Sequence, residues 1–414
     1  MDKALARIKE QDQALAAVAK KVKVLTALSW PAEVEDRFLE GVERGQPALP
    51  EVALAPPDLS GVRDGLTRIA GDLDQGHPLG AFLWRTARSH LRAAEMLASV
   101  GKPRFTELSK EIYGRPSDLI HEGAPSHMEA AESLLALTDG FDSPEPAELL
   151  DAETVAQRLQ EQIGQHFPAD DPLPVELHDN LSGKATAGST RVRIRRGACF
   201  SEAGVGQLLH HEALVHSATK RNGRSQPLLS SMGLSSPRTT CAQEGLATLA
   251  ELVTHTIDLA RLRRIALRVR AVQAALDGAD FIQVYGIFRE AGQGGSESFH
   301  SARRVFRGGD VRGAVAFTKD VIYLKGLATV HTFLRKAIAQ GRHSLPRILF
   351  AGRMTLGDAL ALEPLFEAGV LEMPRVLPAW VREEECLAAV LAWGVYSNSI
   401  RLERVELEDI DDEA

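Results

Sequence analysis

The string HHEALVH, His210 to His216, places three imidazoles and a carboxylate within seven residues. An isolated histidine is most often a satisfied member of a core or polar face, but neutral imidazole is also the commonest protein ligand for a metal ion. Taken as HExxxH, the string sets His211 and His216 five apart, with Glu212 directly after the first. On a regular helix of about 100° per residue, positions five apart diverge by about 140° and cannot share an ion. Widening one turn to i→i+5 bonding returns them to one face, so a π-bulge is expected between His211 and His216. Two other arrangements stay open on spacing alone. One is a regular helix using Glu212 with His216 as an i, i+4 pair, and the other is a polar face without metal.

A third ligand has to come from a second element. The segment TTCAQEGLATLAE, Thr239 to Glu251, offers Glu244 and Glu251, seven apart and able to share a helix face. A lone Glu there is ordinarily a solvated helix edge. The order HExxxH followed by Glu244 nevertheless suits a two-His, one-carboxylate site whose fourth position stays open for water. It resembles the zinc-protease HExxH with one residue added, and in hydrolases such a ligand set is most often occupied by zinc.

The elements that must position these residues are mainly helices. Amphipathic spacing marks the first ~165 residues, interrupted by Gln46 to Asp58 with four prolines, by DSPEP at Asp142 to Pro146, and by FPADDPLP at Phe167 to Pro174. The last break marks off a helical N-terminal region, 1–166, either a separate domain or packed on the core, from the region 167–402 that carries these motifs, with an acidic tail at 403–414. Period-two alternation of Val192 and Ile194 with arginines predicts a strand over 190–195. Its arginines suit either pairing with an extended, acidic substrate or a charge-protected sheet edge. Ser201 is placed to cap the helix that carries HHEALVH. The Arg-rich run Arg261, Arg263, Arg264, Arg268, Arg270 reads as a solvated helix face, and a helix is expected from about Val321 to Ala339. The fold class is mainly α with a small β-sheet, α+β.

Composition removes other classes. With 44% hydrophobic and 25% charged residues the chain is globular. Its net charge of -8 includes -6 from the last twelve residues, leaving no basic surplus for nucleic acid. The longest apolar run, Cys386 to Tyr396, is eleven residues and too short to span a membrane. Three scattered cysteines and a start without a signal-peptide core suit the cytoplasm.

HHEALVHSATKRNG followed by TTCAQEGLA resembles the QEGLA-motif family, bacterial proteins named as flavohemoglobin expression modulators, which are similar to the microtubule-associated tyrosine carboxypeptidases of animals. The likeness takes in the literal Gln243-Glu244-Gly245-Leu246-Ala247, then Asn222 and Gly223, RRVFRGG at Arg303 to Gly309, and KDVIYLKGL at Lys319 to Leu327. It runs from roughly Asp179 to Ala339. HEALVH stands where the family style is HEIGTH.

This resemblance implies a zincin-like metallopeptidase core with a distorted HExxxH helix beside a short sheet. His211, His216 and Glu244 would hold one Zn2+, and Glu212 would act as general base. A carboxypeptidase also needs a cation for the terminal carboxylate and a donor for the oxyanion. Arg303, Arg304, Arg307 and Lys319 are candidates for the first role and Tyr323 for the second, with Asn222 also placed among the substrate-binding residues. Glu251 is expected to support a ligating histidine, and His210 to stand behind the ligands or in the core. The implied partner is the C-terminal tail of a peptide or protein, for which an acidic tail would suit the arginines. The alternatives are a regulatory or scaffold protein that binds metal without turnover, and a metal-free helical interaction protein.

Overall fold

The computed structural model describes residues 3–141, 149–179, 181 and 184–397; the expected DSPEP break and the acidic tail, 403–414, lie outside them. Helices dominate, joined by one three-stranded sheet made of β1 (Val175–His178), β2 (Ala185–Ala187) and β3 (Val192–Arg195) in the order β1-β3-β2. β1 runs parallel to β3 with Val175 opposite Val192, and β2 runs antiparallel with Ala185 opposite Ile194. Val192 and Ile194 are fully buried, as their alternation requires. The strand lies in the middle of the sheet. Both of its edges are taken, so it is neither a docking edge for substrate nor a protected outer strand, which corrects both expectations for RVRIRR.

Two apolar clusters organise the packing. The smaller joins the sheet to helix Ala152–Gly164 and to the helix carrying HHEALVH, through Val155, Leu159, Ile163, Ile194, Leu209 and Leu214. In the larger, residues of the N-terminal helices such as Leu15, Leu66 and Leu83 share a core with Leu246, Phe281, Phe306 and Leu334. Neither cluster divides at residue 166. Helix Lys3–Ala19 is also tied in by a buried carboxylate, for Asp12 accepts from the Ser230 hydroxyl at 2.7 Å and the Ser231 amide at 3.1 Å. No described helix is long and apolar enough to cross a membrane.

Helix Thr240–Val253 crosses helix Ile322–Ala339 backbone to backbone. A Cβ on Gly245 would lie 2.2 Å from the Gly326 carbonyl oxygen, and one on Gly326 would lie 2.4 Å from that of Cys241. Only glycine fits at either position. Helix Leu259–Leu276 carries the Arg-rich run, which is not a solvated face. Arg268 is buried, Arg261 binds Glu251, Arg263 binds the Thr138 carbonyl, and Arg264 and Arg270 pair with Glu297 and Glu132. The run is amphipathic in charge pairing rather than in exposure, a distinction invisible to periodicity.

Gly245→Ala is expected to lower unfolding stability by about 1–3 kcal/mol in urea titrations, because the added methyl overpacks a backbone contact. Gly61→Ala, in a helix with open space around it, should be neutral or stabilising by up to about 1 kcal/mol.

Candidate metal centre

The Ser201 hydroxyl accepts from the Gly204 amide at 3.2 Å and starts helix Glu202–Gln207 as expected. At Leu208 the bonding changes to the π pattern, which continues to Ser217 before α geometry resumes at Ala218–Arg224. The distortion is ten residues long rather than a single turn. Leu208, Leu209, Ala213, Leu214 and Val215 are all buried along it, so packing on several sides holds the wide helix in place. Its i→i+5 bonding brings the His211 and His216 rings to 4.8 Å between centroids, nearly perpendicular at 88°.

Glu244 enters from the neighbouring helix. Its Oε2 lies 3.6 Å from His211 Nε2 and 3.7 Å from His216 Nε2, and one donor atom from each residue falls within 4.8 Å of the other two. These distances are too long for hydrogen bonds. They are close to the edge of about 3.3 Å between ligand atoms in a tetrahedron with bonds of about 2 Å. Two of the three separations are thus within a few tenths of an ångström of that edge and the third is at most 4.8 Å, so closure of the two imidazoles would complete the fit of this donor set to one small ion. The i, i+4 pairing of Glu212 with His216 is not what assembles among the described residues.

His211 is oriented from behind. His211 Nδ1 donates to Glu251 Oε1 at 2.6 Å, which fixes the tautomer and leaves Nε2 facing Glu244. Glu251 accepts in turn from Arg261 at 3.1 and 3.2 Å. Burial alone would lower the His211 pKa, but Glu244 and Glu251 outweigh it and raise it to about 10. Burial would likewise raise Glu244, yet Lys319 and the two imidazoles hold it well below its ordinary value. The ring of His211 thus sits in a field that favours positive charge.

A cationic rim adjoins the ligands. Lys319 Nζ is 3.7 Å from Glu244 Oε1 and 5.3 Å from the centre of the Tyr323 ring. Lys319 stands in the 3-10 turn Thr318–Val321 and Tyr323 in the helix that follows, so both face the same space. Arg304 makes a two-pronged ion pair with Asp320 at 2.6 and 2.8 Å and donates to the Tyr323 hydroxyl at 2.9 Å. Burial raises the Tyr323 pKa, but Arg304 and Lys319 lower it further than burial lifts it. Between these groups lies a cavity of about 100 Å³ lined by Glu244, Arg304, Arg307, Lys319, Tyr323 and Leu25, among others. A larger groove of about 480 Å³, beneath the proline-rich segment at Leu49 to Leu54, contains none of the three ligand residues.

The family model described as microtubule-associated tyrosine carboxypeptidase matches residues 36–399. The chain belongs to this family. No curated protein matches it. The family match begins well ahead of the residues whose motifs carried the resemblance, so the N-terminal helices from residue 36 onward are part of the family's common body.

In this member of the tyrosine carboxypeptidase family, the predicted site residues divide sharply. His211, Glu212, His216, Glu244, Glu251, Lys319, Tyr323 and Arg304 gather at or behind the ligands and rim. Arg303 is buried outside the cavity, where its charge acts with Glu35 and against Arg304; the chain turns after Phe306 and presents Arg307 instead. Arg307 makes no hydrogen bond or ion pair with any described residue, and burial among Arg304 and Arg303 lowers its pKa to about 10. Asn222 cannot serve substrate. Its amide nitrogen donates to the Phe350 and Val376 carbonyls and its oxygen accepts from the Arg375 and Val376 amides, which exhausts its capacity. His210 shares its electrostatic surroundings with His166, and no bond joins it to the ligands. Arg353 was missed: it donates to the His216 carbonyl at 3.2 Å and feels both Glu244 and Glu212. It lies in a loop with no periodic or motif signal.

Glu251→Gln is expected to weaken metal binding about 10–100-fold in chelator competition, since the His211 imidazole loses a charged acceptor. A second expectation concerns pH. Burial would raise Asp320, but Arg304 and Arg268 hold it far below the usual carboxylate range. Its contribution is thus fully present above the unfolded pKa of about 3.9 and is lost as pH falls through the folded value. Asp320→Asn should cost about 3–5 kcal/mol at pH 7, with a difference from wild type in thermal melts that shrinks below about pH 4.

Proposed function

We propose that this protein is a zinc-dependent carboxypeptidase that removes a residue from the C-terminus of a peptide or protein. The observation that carries the reading is the convergence of His211, His216 and Glu244 on one point, with Glu212 adjoining His211 and no fourth protein ligand in the cluster among the described residues. Zinc held there would polarise the scissile carbonyl and acidify a water molecule at the open position.

The chain's own groups account for the remaining chemistry. Glu212 takes the proton of the attacking water and hands it to the leaving amine, so that hydroxyl adds to the carbonyl carbon as the C–N bond breaks. The Tyr323 hydroxyl already accepts from Arg304, so its own hydrogen is available to the oxyanion, and the cations around the ring strengthen it as a donor. Arg307, unpaired beside the ligands, receives the terminal carboxylate, while Arg304 and Lys319 are held by Asp320 and Glu244 and shape the field around it.

Protein prepared without chelator should hold about one zinc per chain by elemental analysis, and His216→Ala and Glu244→Ala should hold none. Glu212→Gln should retain the metal and lose at least about 10²-fold in peptide cleavage, and peptides amidated at the C-terminus should resist wild type. Wild type that stays metal-free when zinc is offered would sink the reading. Zinc-loaded protein inert towards every peptide would favour a metal-binding regulator.

A further inference from the structure

Where the π stretch ends decides the direction of His216. A return to α geometry ahead of that residue would swing its ring out of line with His211, since positions five apart on a regular helix diverge by about 140°. The observed return comes at Ala218, whose amide still donates to the Ala213 carbonyl five residues back. A change of bonding step leaves one carbonyl of the ladder without its own amide, so side-chain donors count for most at such a junction. Two are present. The Thr219 hydroxyl reaches the Val215 carbonyl at 2.7 Å, and the Arg353 guanidinium donates to the His216 carbonyl at 3.2 Å. Both donors are themselves tied down. The Thr219 hydroxyl also lies 2.8 Å from the side-chain oxygen of Gln243, the residue next to Glu244, and both side chains are buried. The second branch of Arg353 donates to the Ser235 hydroxyl at 2.6 Å, and its amide donates to the Met232 carbonyl at 2.7 Å. Ahead of it Gly352 packs on Met232 and Gly223, where an added Cβ would stand 2.7 Å from the first and 3.3 Å from the second.

We propose that Thr219, Gln243 and Arg353 are positioning residues: they fix the point at which the wide helix narrows, and so hold the His216 ring beside His211 and Glu244. The consequence for catalysis rests on the carboxypeptidase reading, whereas the placement of the ring does not. Thr219 belongs to the helix of the histidines, Gln243 to that of Glu244, and Arg353 to a third segment, so the junction is where all three are fastened together. The glutamine of QEGLA thereby acquires a part in the site separate from that of the glutamate beside it. A purely electrostatic role for Arg353 makes the opposite forecast. Its charge acts on both Glu244 and Glu212, and a cation in that place repels an incoming metal ion. Loss of the charge alone would tighten metal binding, while loss of a support for His216 weakens it.

The test uses Thr219→Val, which keeps the shape and removes the hydroxyl, Thr219→Ser, which restores it, Gln243→Met and Arg353→Met. Zinc affinity is read by chelator competition, and the ligand set by the visible spectrum of the cobalt-substituted protein, with His216→Ala as the reference for a lost imidazole. Thr219→Val, Gln243→Met and Arg353→Met are expected to bind zinc about 10–100-fold more weakly than wild type. Their cobalt spectra should move towards that of His216→Ala, and Thr219→Ser should match wild type. Unchanged zinc affinity in Thr219→Val, or tighter binding in Arg353→Met, overturns the proposal. Wild type that binds zinc but cleaves no peptide sinks the carboxypeptidase reading, and the same affinities and spectra still decide the positioning role. If wild type takes no metal, amide hydrogen exchange over residues 213–221 decides it instead. Faster exchange confined to that stretch in Thr219→Val and Arg353→Met supports the role, and exchange like that of wild type overturns it.

Discussion

At the Gly245–Gly326 crossing two helices meet with no side chain between them, and the groups around the candidate metal centre take their places from that contact. Glu244 precedes the first glycine and is brought level with the histidines of the π-helix. Tyr323 precedes the second by one turn, and Lys319 by two. A larger residue at either glycine would push the helices apart and separate ligand from rim. The literal sequence QEGLA therefore holds Glu244 next to the glycine that lets it reach His211 and His216.

Charge in this region is arranged in alternating layers. Arg261 stands behind Glu251, Glu251 behind His211, and His211 faces Glu244, whose other oxygen faces Lys319. On the far side Asp320 is shared by Arg304 and Arg268. Each buried charge has an opposite neighbour, which is the condition under which charges are tolerated away from water. Arg307 is the exception in the rim, a partly buried guanidinium that feels Asp320 but makes no ion pair with any described residue.

Much of this arrangement was legible in the chain alone. Five-residue histidine spacing pointed to a widened helix if both rings were to share an ion, because no regular one brings them together, and Val192 and Ile194 announced a buried strand face. Legibility stopped where the answer depended on which elements became neighbours. Nothing in RVRIRR distinguishes a central strand from an edge, since its partners lie before it in sequence. Arg303 and Arg307 look alike on paper, and only the chain's turn after Phe306 decides which faces the cavity. Asn222 was grouped with the substrate residues on the strength of its motif, whereas its role is to bind backbone. The length of the π stretch was also hidden, as it rests on packing around Leu209 and Leu214 rather than on any helix-breaking residue.

The Asn222 clamp has a bearing on how the molecule is made. It joins the end of the π-containing helix to Val376, 154 residues later, and Asp12 reaches forward to Ser231 over 219 residues. Closing loops of that size is entropically expensive and belongs to the slow part of folding. A chain emerging in N-to-C order presents His211, His216 and Glu244 long before Val376 exists to fasten their helix. These three residues are thus synthesised early and rigidified late, and the precision of their arrangement is a property of the finished chain rather than of the segment that contains them.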